Sequence, residues 1–310
     1  MTYRETVESE EPTSGESEVV LITGAAGTIG SMLRRSLVRP GRHLRLLDVV
    51  AQDPLAPGED AELVVGSFLD AAVMADACRD VVVVVHLGGL STKDFEWDEY
   101  LDVNINGTYV VLEAARAAGV PRVVYASSNH VVGFEPIDYG SLVPDYLFPR
   151  PDSLYGVSKA ASESLGSLYH DRYGLDVLCL RIGSYRERPA NIRELWSWLS
   201  PGDCVRLVEA AMTTPRPGFR VVWGVSANRR AVVTLAEARA IGYYPLDDAE
   251  VFADEIIANS DGGGRDDPSL LGGCDSSATV RSGEQEKIGS RINRVEMNIT
   301  PSESDEPLIS

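Results

Sequence analysis

The stretch Val19-Val-Leu-Ile-Thr23-Gly24-Ala-Ala-Gly27-Thr-Ile-Gly30 reads as a buried strand that turns sharply into a helix. Its apolar run has no polar alternation, as in a strand covered on both faces. Gly24, Gly27 and Gly30 permit a tight turn and a close approach of backbone to ligand. The turn, with Thr28 and Ile29 opening the helix, presents N–H groups and a positive helix end where a pyrophosphate can sit. About 20 residues on, Leu44-Arg-Leu-Leu-Asp48 ends a second strand with a carboxylate placed to accept from a ribose 2′-hydroxyl and to repel a 2′-phosphate. The cofactor expected from this pair of features is NAD rather than NADP. Arg45 lies close by, but strand alternation aims it at the opposite face from Asp48.

Outward from this stretch, short β-branched runs at 19–23, 44–47, 63–65, 81–86, 123–126 and 177–180 alternate with helical periodicity. Leu101, Ile105, Tyr109 and Leu112 recur at helical spacing over 94–118, before Gly119 and Pro121 end the element. The expected fold is α/β, a Rossmann-type doubly wound parallel sheet. After residue 185 the pattern changes to isolated helices at 192–199, 204–212, 235–241 and 249–258 around one strand at 220–223. Four regions follow: an acidic N-terminus (1–17) expected to be disordered, an NAD-binding domain (18–185), a small substrate-covering region packed on it (186–260), and an acidic tail (261–310) expected to be largely disordered.

The 310 residues are 44% hydrophobic and 24% charged, with a net charge of −19. That charge disfavours nucleic acid and anionic membranes as partners, since neutralising phosphates requires clustered Lys and Arg. No apolar run approaches the roughly 20 residues needed to span a bilayer, and the N-terminus lacks a signal-peptide pattern, so a cytoplasmic location is expected. Cys78, Cys179, Cys204 and Cys274 are widely spaced, which indicates neither a disulfide framework nor a metal site.

Tyr155-Gly-Val-Ser-Lys159 places a phenol and an ammonium four residues apart, hence on one face of a helix. A nearby ammonium favours the phenolate and lowers the phenol toward the working range of a general base. Lysine occurs only at 93, 159 and 287, so the pairing is informative. Ser127-Ser128, ending the fifth strand, adds hydroxyls at the carboxyl edge where α/β sheets bind ligands.

With GxxGxxG, YxxxK and an upstream serine, residues 18–258 resemble the extended short-chain dehydrogenase/reductase superfamily. The resemblance implies that Tyr155 is the catalytic base, that Lys159 lowers its pKa and holds the nicotinamide ribose, and that Ser128 orients the reacting hydroxyl. It also implies cofactor contacts from Phe68, Leu87, Gly88, Gly89, Asn104 and Ile182. Ser67 stands where the superfamily usually has an aspartate for the adenine amino group, which leaves that contact to a hydroxyl.

Five segments are more specific: His86-Leu-Gly-Gly-Leu-Ser91, Ser127-Ser-Asn-His130, Leu154-Tyr-Gly-Val-Ser-Lys159, Arg181-Ile-Gly-Ser184 and Val222-Trp-Gly-Val-Ser-Ala-Asn228. Together they resemble the uronate dehydrogenase family, which oxidises C1 of a cyclic hexuronic acid (glucuronate or galacturonate) with NAD to the aldarolactone. This implies that Ser91, Ser128, Asn129, His130 and Ser184 bond the sugar hydroxyls and that Arg193 receives the carboxylate. A guanidinium fork suits such a planar anion. Arg186 and Arg188 are also close, however, and three arginines suit a sugar phosphate such as glucose 6-phosphate as well. A sugar-nucleotide epimerase or dehydratase shares the fold, and a non-catalytic NAD sensor is a third reading, although such sensors generally lose the Tyr and Lys. The helices at 94–118 and 155–173 are those through which the superfamily forms homo-oligomers.

Overall fold

The apolar runs read from the sequence pair edge to edge, all in parallel. The computed structural model describes residues 17–91, 95–138, 140–260 and 269–273. The acidic N-terminus up to 16 and positions 261–268 and 274–310 of the tail, on which the expectation of disorder falls, lie outside the described residues. In chain order the strands are β1 (Glu18–Thr23), β2 (Arg42–Asp48), β3 (Ala61–Val65), β4 (Val81–His86), β5 (Arg122–Ser128), β6 (Asp176–Ile182), the two-residue β7 (Ser184–Tyr185) and β8 (Trp198–Leu199), and β9 (Phe219–Gly224). Seven of them form one sheet in the order β3-β2-β1-β4-β5-β6-β9, and β7 pairs with β8 alone. The order reverses between β1 and β4, which opens a crevice at their carboxyl ends.

Alternation along each strand divides the core between the two faces of the sheet. Ile22, Leu46, Val85, Leu180 and Val222 meet Leu33 of α1 (Thr28–Ser36) on one face. On the other, Leu21, Leu47, Val84, Val123 and Cys179 meet Met74 of α2 (Ala71–Ala77). The long element expected over 94–118 begins, within the described residues, as α3 (Trp97–Glu99), passes through a π-helical stretch (Tyr100–Asn106) and continues as α4 (Gly107–Ala117). The π turn has a local cause. The Asn104 carbonyl accepts from the Thr108 hydroxyl at 2.6 Å and the Ser162 hydroxyl at 3.2 Å, and hydroxyls inserted into the ladder widen it. Ser162 belongs to α5 (Leu154–Tyr173), which packs against that stretch.

After residue 185 come α6 (Glu194–Ser197), α7 (Pro201–Thr213), α8 (Ala236–Ala240) and α9 (Ala253–Asn259). This region is more continuous with the rest than its sequence implied. β9 is the seventh strand of the main sheet, paired with β6 from Val177↔Phe219 to Ile182↔Gly224, and α7 covers the same face as α1. The helix expected over 192–199 is one turn long, because the Asn228 side chain donates to the carbonyls of Trp196 and Trp198 and turns the chain into β8. No helix among the described residues is long and apolar enough to cross a membrane.

Leu207 on α7 is fully buried against the main core. Leu207→Ala is therefore expected to cost about 2–5 kcal/mol in a single unfolding transition, whereas Val251→Ala on the surface stays within about 0.5 kcal/mol. Urea titration followed by circular dichroism checks both, and a separate transition for the region after residue 185 would contradict the shared core.

Candidate active site

β1 and β4 deliver their following loops to the crevice at their carboxyl ends. Gly24 has φ +72°, and a Cβ there would lie 2.6 Å from the Gly88 nitrogen, so two backbones approach where only glycine fits. The chain then enters α1, whose first turn has no acidic residue and no side-chain cap, which leaves its N–H groups and positive end facing the crevice. Asp48, at the end of β2, accepts from the Ala26 nitrogen (2.9 Å) through one oxygen and from the Val50 nitrogen (3.0 Å) through the other. Each oxygen keeps a lone pair for a ribose hydroxyl. Arg45 points away as expected, to Glu62 at 2.5 Å and to the carbonyls of Ala77 and Arg79.

This crevice is one cavity of about 750 Å³ that continues past the ends of β5 and β6. Of the residues nominated from the sequence for catalysis, cofactor or uronate, all line it except Asn104. Asn104 sits behind the wall, where its amide accepts from the Leu90 nitrogen (2.8 Å) and donates to the Leu90 carbonyl (3.1 Å) and the Ser158 hydroxyl (2.9 Å). These bonds tie the Leu90 loop to α5. Ser67 lines the cavity and accepts from the Leu69 nitrogen at 3.1 Å.

α5 brings Tyr155 and Lys159 over the end of β5. Its buried face is largely polar, and Glu163, one turn beyond Lys159, is held by Arg181 of β6 in two bonds of 2.9 and 2.7 Å and by Ser127 of β5 at 2.6 Å. The Lys159 ammonium donates to the Ala126 carbonyl at 2.8 Å and lies 4.8 Å from the centre of the Tyr125 ring and 5.8 Å from that of Tyr155. Burial pushes the Tyr155 phenol up to about 12, with the Ser128 hydroxyl acting against that rise. Burial likewise lowers Lys159 to about 8. This differs from the expectation that the ammonium would depress the phenol: in the ligand-free cavity the loss of water dominates both groups.

The far end of the cavity carries the polar groups expected around a sugar. His130 Nδ1–H donates to the Asp152 carboxylate at 2.8 Å, and the imidazole stands edge-on to Tyr155 with centroids 5.9 Å apart. Arg193 donates from Nη1 to the Ser184 hydroxyl at 3.2 Å and from Nε and Nη2 to the Leu271 carbonyl at 3.3 and 3.0 Å. Arg186 and Arg188 do not line the cavity. They are exposed and paired with Glu194 at 3.0 Å and Glu255 at 2.7 Å.

The sequence model of the NAD dependent epimerase/dehydratase family matches residues 20–185. The chain belongs to that family. It is 38% identical to uronate dehydrogenase of Pseudomonas putida, over 81% of this chain and 92% of the relative, and 42% identical to uronate dehydrogenase of Agrobacterium fabrum, over 76% and 88%. In structure it is similar to a mutant uronate dehydrogenase of Agrobacterium tumefaciens complexed with NAD: TM-score 0.78 and 36% identity, covering 84% of this chain and 97% of that one.

Two features of this member of the epimerase/dehydratase family were missed by sequence reasoning. Asp152 carried a usable signal, an acid three residues before Tyr155. The Leu271 carbonyl carried none, since it is main chain in a stretch with tail-like composition.

The depressed Lys159 means that the folded protein holds its ammonium at a cost below about pH 8. Between about 8 and the ordinary lysine value of 10.5 the unfolded chain binds the extra proton, so stability rises with pH across that window. Lys159→Met is therefore expected to raise Tm at pH 7 while removing turnover, with the gain shrinking as pH rises from 8 to 10.5. Calorimetry at several pH values checks the sign.

Proposed function

We propose that this chain oxidises C1 of a cyclic hexuronic acid with NAD, giving the aldarolactone. The observation that carries the reading is that one cavity joins the glycine turn and Asp48 to Tyr155 and, beyond it, to a single arginine of the 184–193 segment, Arg193. The glycine turn, the uncapped first turn of α1 and the Asp48 lone pairs fit a dinucleotide, with Lys159 at its nicotinamide end. When bound, NAD supplies the hydride acceptor and a formal positive charge.

The protein's own groups do the rest. Tyr155 takes the proton of the C1 hydroxyl as the C1 hydride departs, so that C1 becomes the lactone carbonyl. Ser128, which already opposes the rise in the Tyr155 pKa, orients that hydroxyl. His130, fixed by Asp152, and Asn129 and Ser184 bond the ring hydroxyls. Arg193 grips the carboxylate through two parallel bonds and sets which carbon faces Tyr155. The sugar-phosphate reading needs Arg186 and Arg188, and their ion pairs with Glu194 and Glu255 outside the cavity weigh against it. Copies of the chain associate, in this reading, through the exposed Tyr109, Leu168 and Tyr173 of α4 and α5.

The test is NADH formation at 340 nm with glucuronate, galacturonate and glucose 6-phosphate in parallel. Signal with the uronates alone is expected, and signal confined to the phosphate would overturn the assignment. Tyr155→Phe is expected to lower kcat by about 10²-fold or more with NAD affinity unchanged in titration calorimetry. Arg193→Met is expected to lower kcat/KM for glucuronate about 10- to 100-fold. Arg186→Ala and Arg188→Ala should leave it unchanged.

A further inference from the structure

Within the region read from sequence as an acidic tail, residues 269–273 are seated on the loop at 133–137, behind the cavity-lining Asn129 and His130. Ile137 donates to the Ser269 carbonyl at 2.7 Å, Leu271 to Glu135 at 3.1 Å and Gly272 to Gly133 at 2.8 Å. Pro136 and Leu270 form an antiparallel bridge, and the Leu271 side chain is fully buried in a cluster with Trp196 and Trp223. The strap thus lies along the loop that follows Asn129 and His130.

Its main chain meets two side chains that line the cavity, Asn129 and Arg193, through the Leu271 carbonyl. The Leu271 carbonyl accepts from three side-chain donors: Asn129 Nδ2 at 3.2 Å, Arg193 Nε at 3.3 Å and Arg193 Nη2 at 3.0 Å. Gly273 has φ +78°, and a Cβ there would lie 2.6 Å from Arg193 Cδ, so the strap turns directly against the arginine stem. The Trp196 ring, 5.6 Å from the guanidinium carbon, supports its other side. A guanidinium has two edges able to grip a carboxylate in parallel bonds, and the carbonyl occupies the Nε–Nη2 edge.

We propose that residues 269–273 are a specificity element, in which the Leu271 carbonyl positions Arg193 and Asn129 so that the Nη1–Nη2 end of the guanidinium receives the substrate carboxylate. The inference rests on the carboxylate role of Arg193 given above. Leu271 is a positioning residue acting through Arg193, and its contribution is a fixed orientation rather than a contact with the sugar.

The test uses full-length Gly273→Val, which pushes the turn off Arg193, and Leu271→Ala, which thins the buried anchor and leaves the Gly273 backbone as it is. Folding is confirmed by circular dichroism and Tm. Each variant is expected to raise KM for glucuronate about ten-fold, with kcat and the KM for NAD little changed. Both effects should vanish in an Arg193→Met background, because the strap acts only through that side chain. Unchanged KM in both variants, or an increase of equal size with and without Arg193, would overturn the proposal. An Arg193→Met protein that keeps the parent KM for glucuronate would overturn the carboxylate reading and this inference with it.

Discussion

The position of α5 decides whether this protein has a site at all, and the buried pair of Glu163 and Arg181 decides the position of α5. The helix presents serines, glycines and Glu163 to the sheet rather than a continuous apolar stripe. Ordinary hydrophobic packing therefore gives it little register. The two parallel bonds from Arg181, with the Ser127 hydroxyl on the same carboxylate, fix it along and around its axis relative to β5 and β6. Burying both charges carries a desolvation cost that only such geometry offsets, and losing either partner strands the other in a dry environment. Lys159 stands four residues before Glu163 and Tyr155 eight, so an error in that register is carried straight to both side chains in the cavity.

A second polar layer extends the same logic to the opposite wall. Asn104 joins the loop at Leu90 to Ser158 on α5, and the π turn that carries Asn104 is held open by hydroxyls of α4 and α5. His86, fully buried beneath, bonds Thr23 at 2.7 Å and has its pKa lowered to about 3 by burial and by Lys159, so it stays neutral at working pH. Beneath the cavity lie neutral donors and acceptors beside the Glu163–Arg181 pair, and the Lys159 ammonium is buried among them at the cavity wall.

The sheet was legible because its strands are apolar on both faces: every run nominated from the sequence is a strand, 81–86 with its bounds unchanged and the others extended by a residue or two. That the glycine turn, Asp48 and the Tyr155–Lys159 pair meet in one cavity was legible because each is marked by spacing along the chain. What escaped depends on contacts between distant segments. The bonds of Asn104 to Leu90 and Ser158 were not legible, since sequence cannot tell an amide facing a cavity from one facing its back wall. The pairing of Arg186 and Arg188 with Glu194 and Glu255 turned an ambiguous group of three arginines into one that faces the cavity. The Leu271 carbonyl had no side-chain signature to read.

Asp48 serves two roles through the same two oxygens. The carboxylate proposed to accept from a ribose 2′-hydroxyl also ties the Ala26 and Val50 nitrogens on either side of it. Under that proposal, cofactor preference and loop geometry are not separable properties of this scaffold. An evolutionary or engineered drift toward a phosphorylated dinucleotide that began by discarding this acid would release both backbone ties at once. New acceptors for Ala26 and Val50 would have to arise before an added cation could bring any advantage.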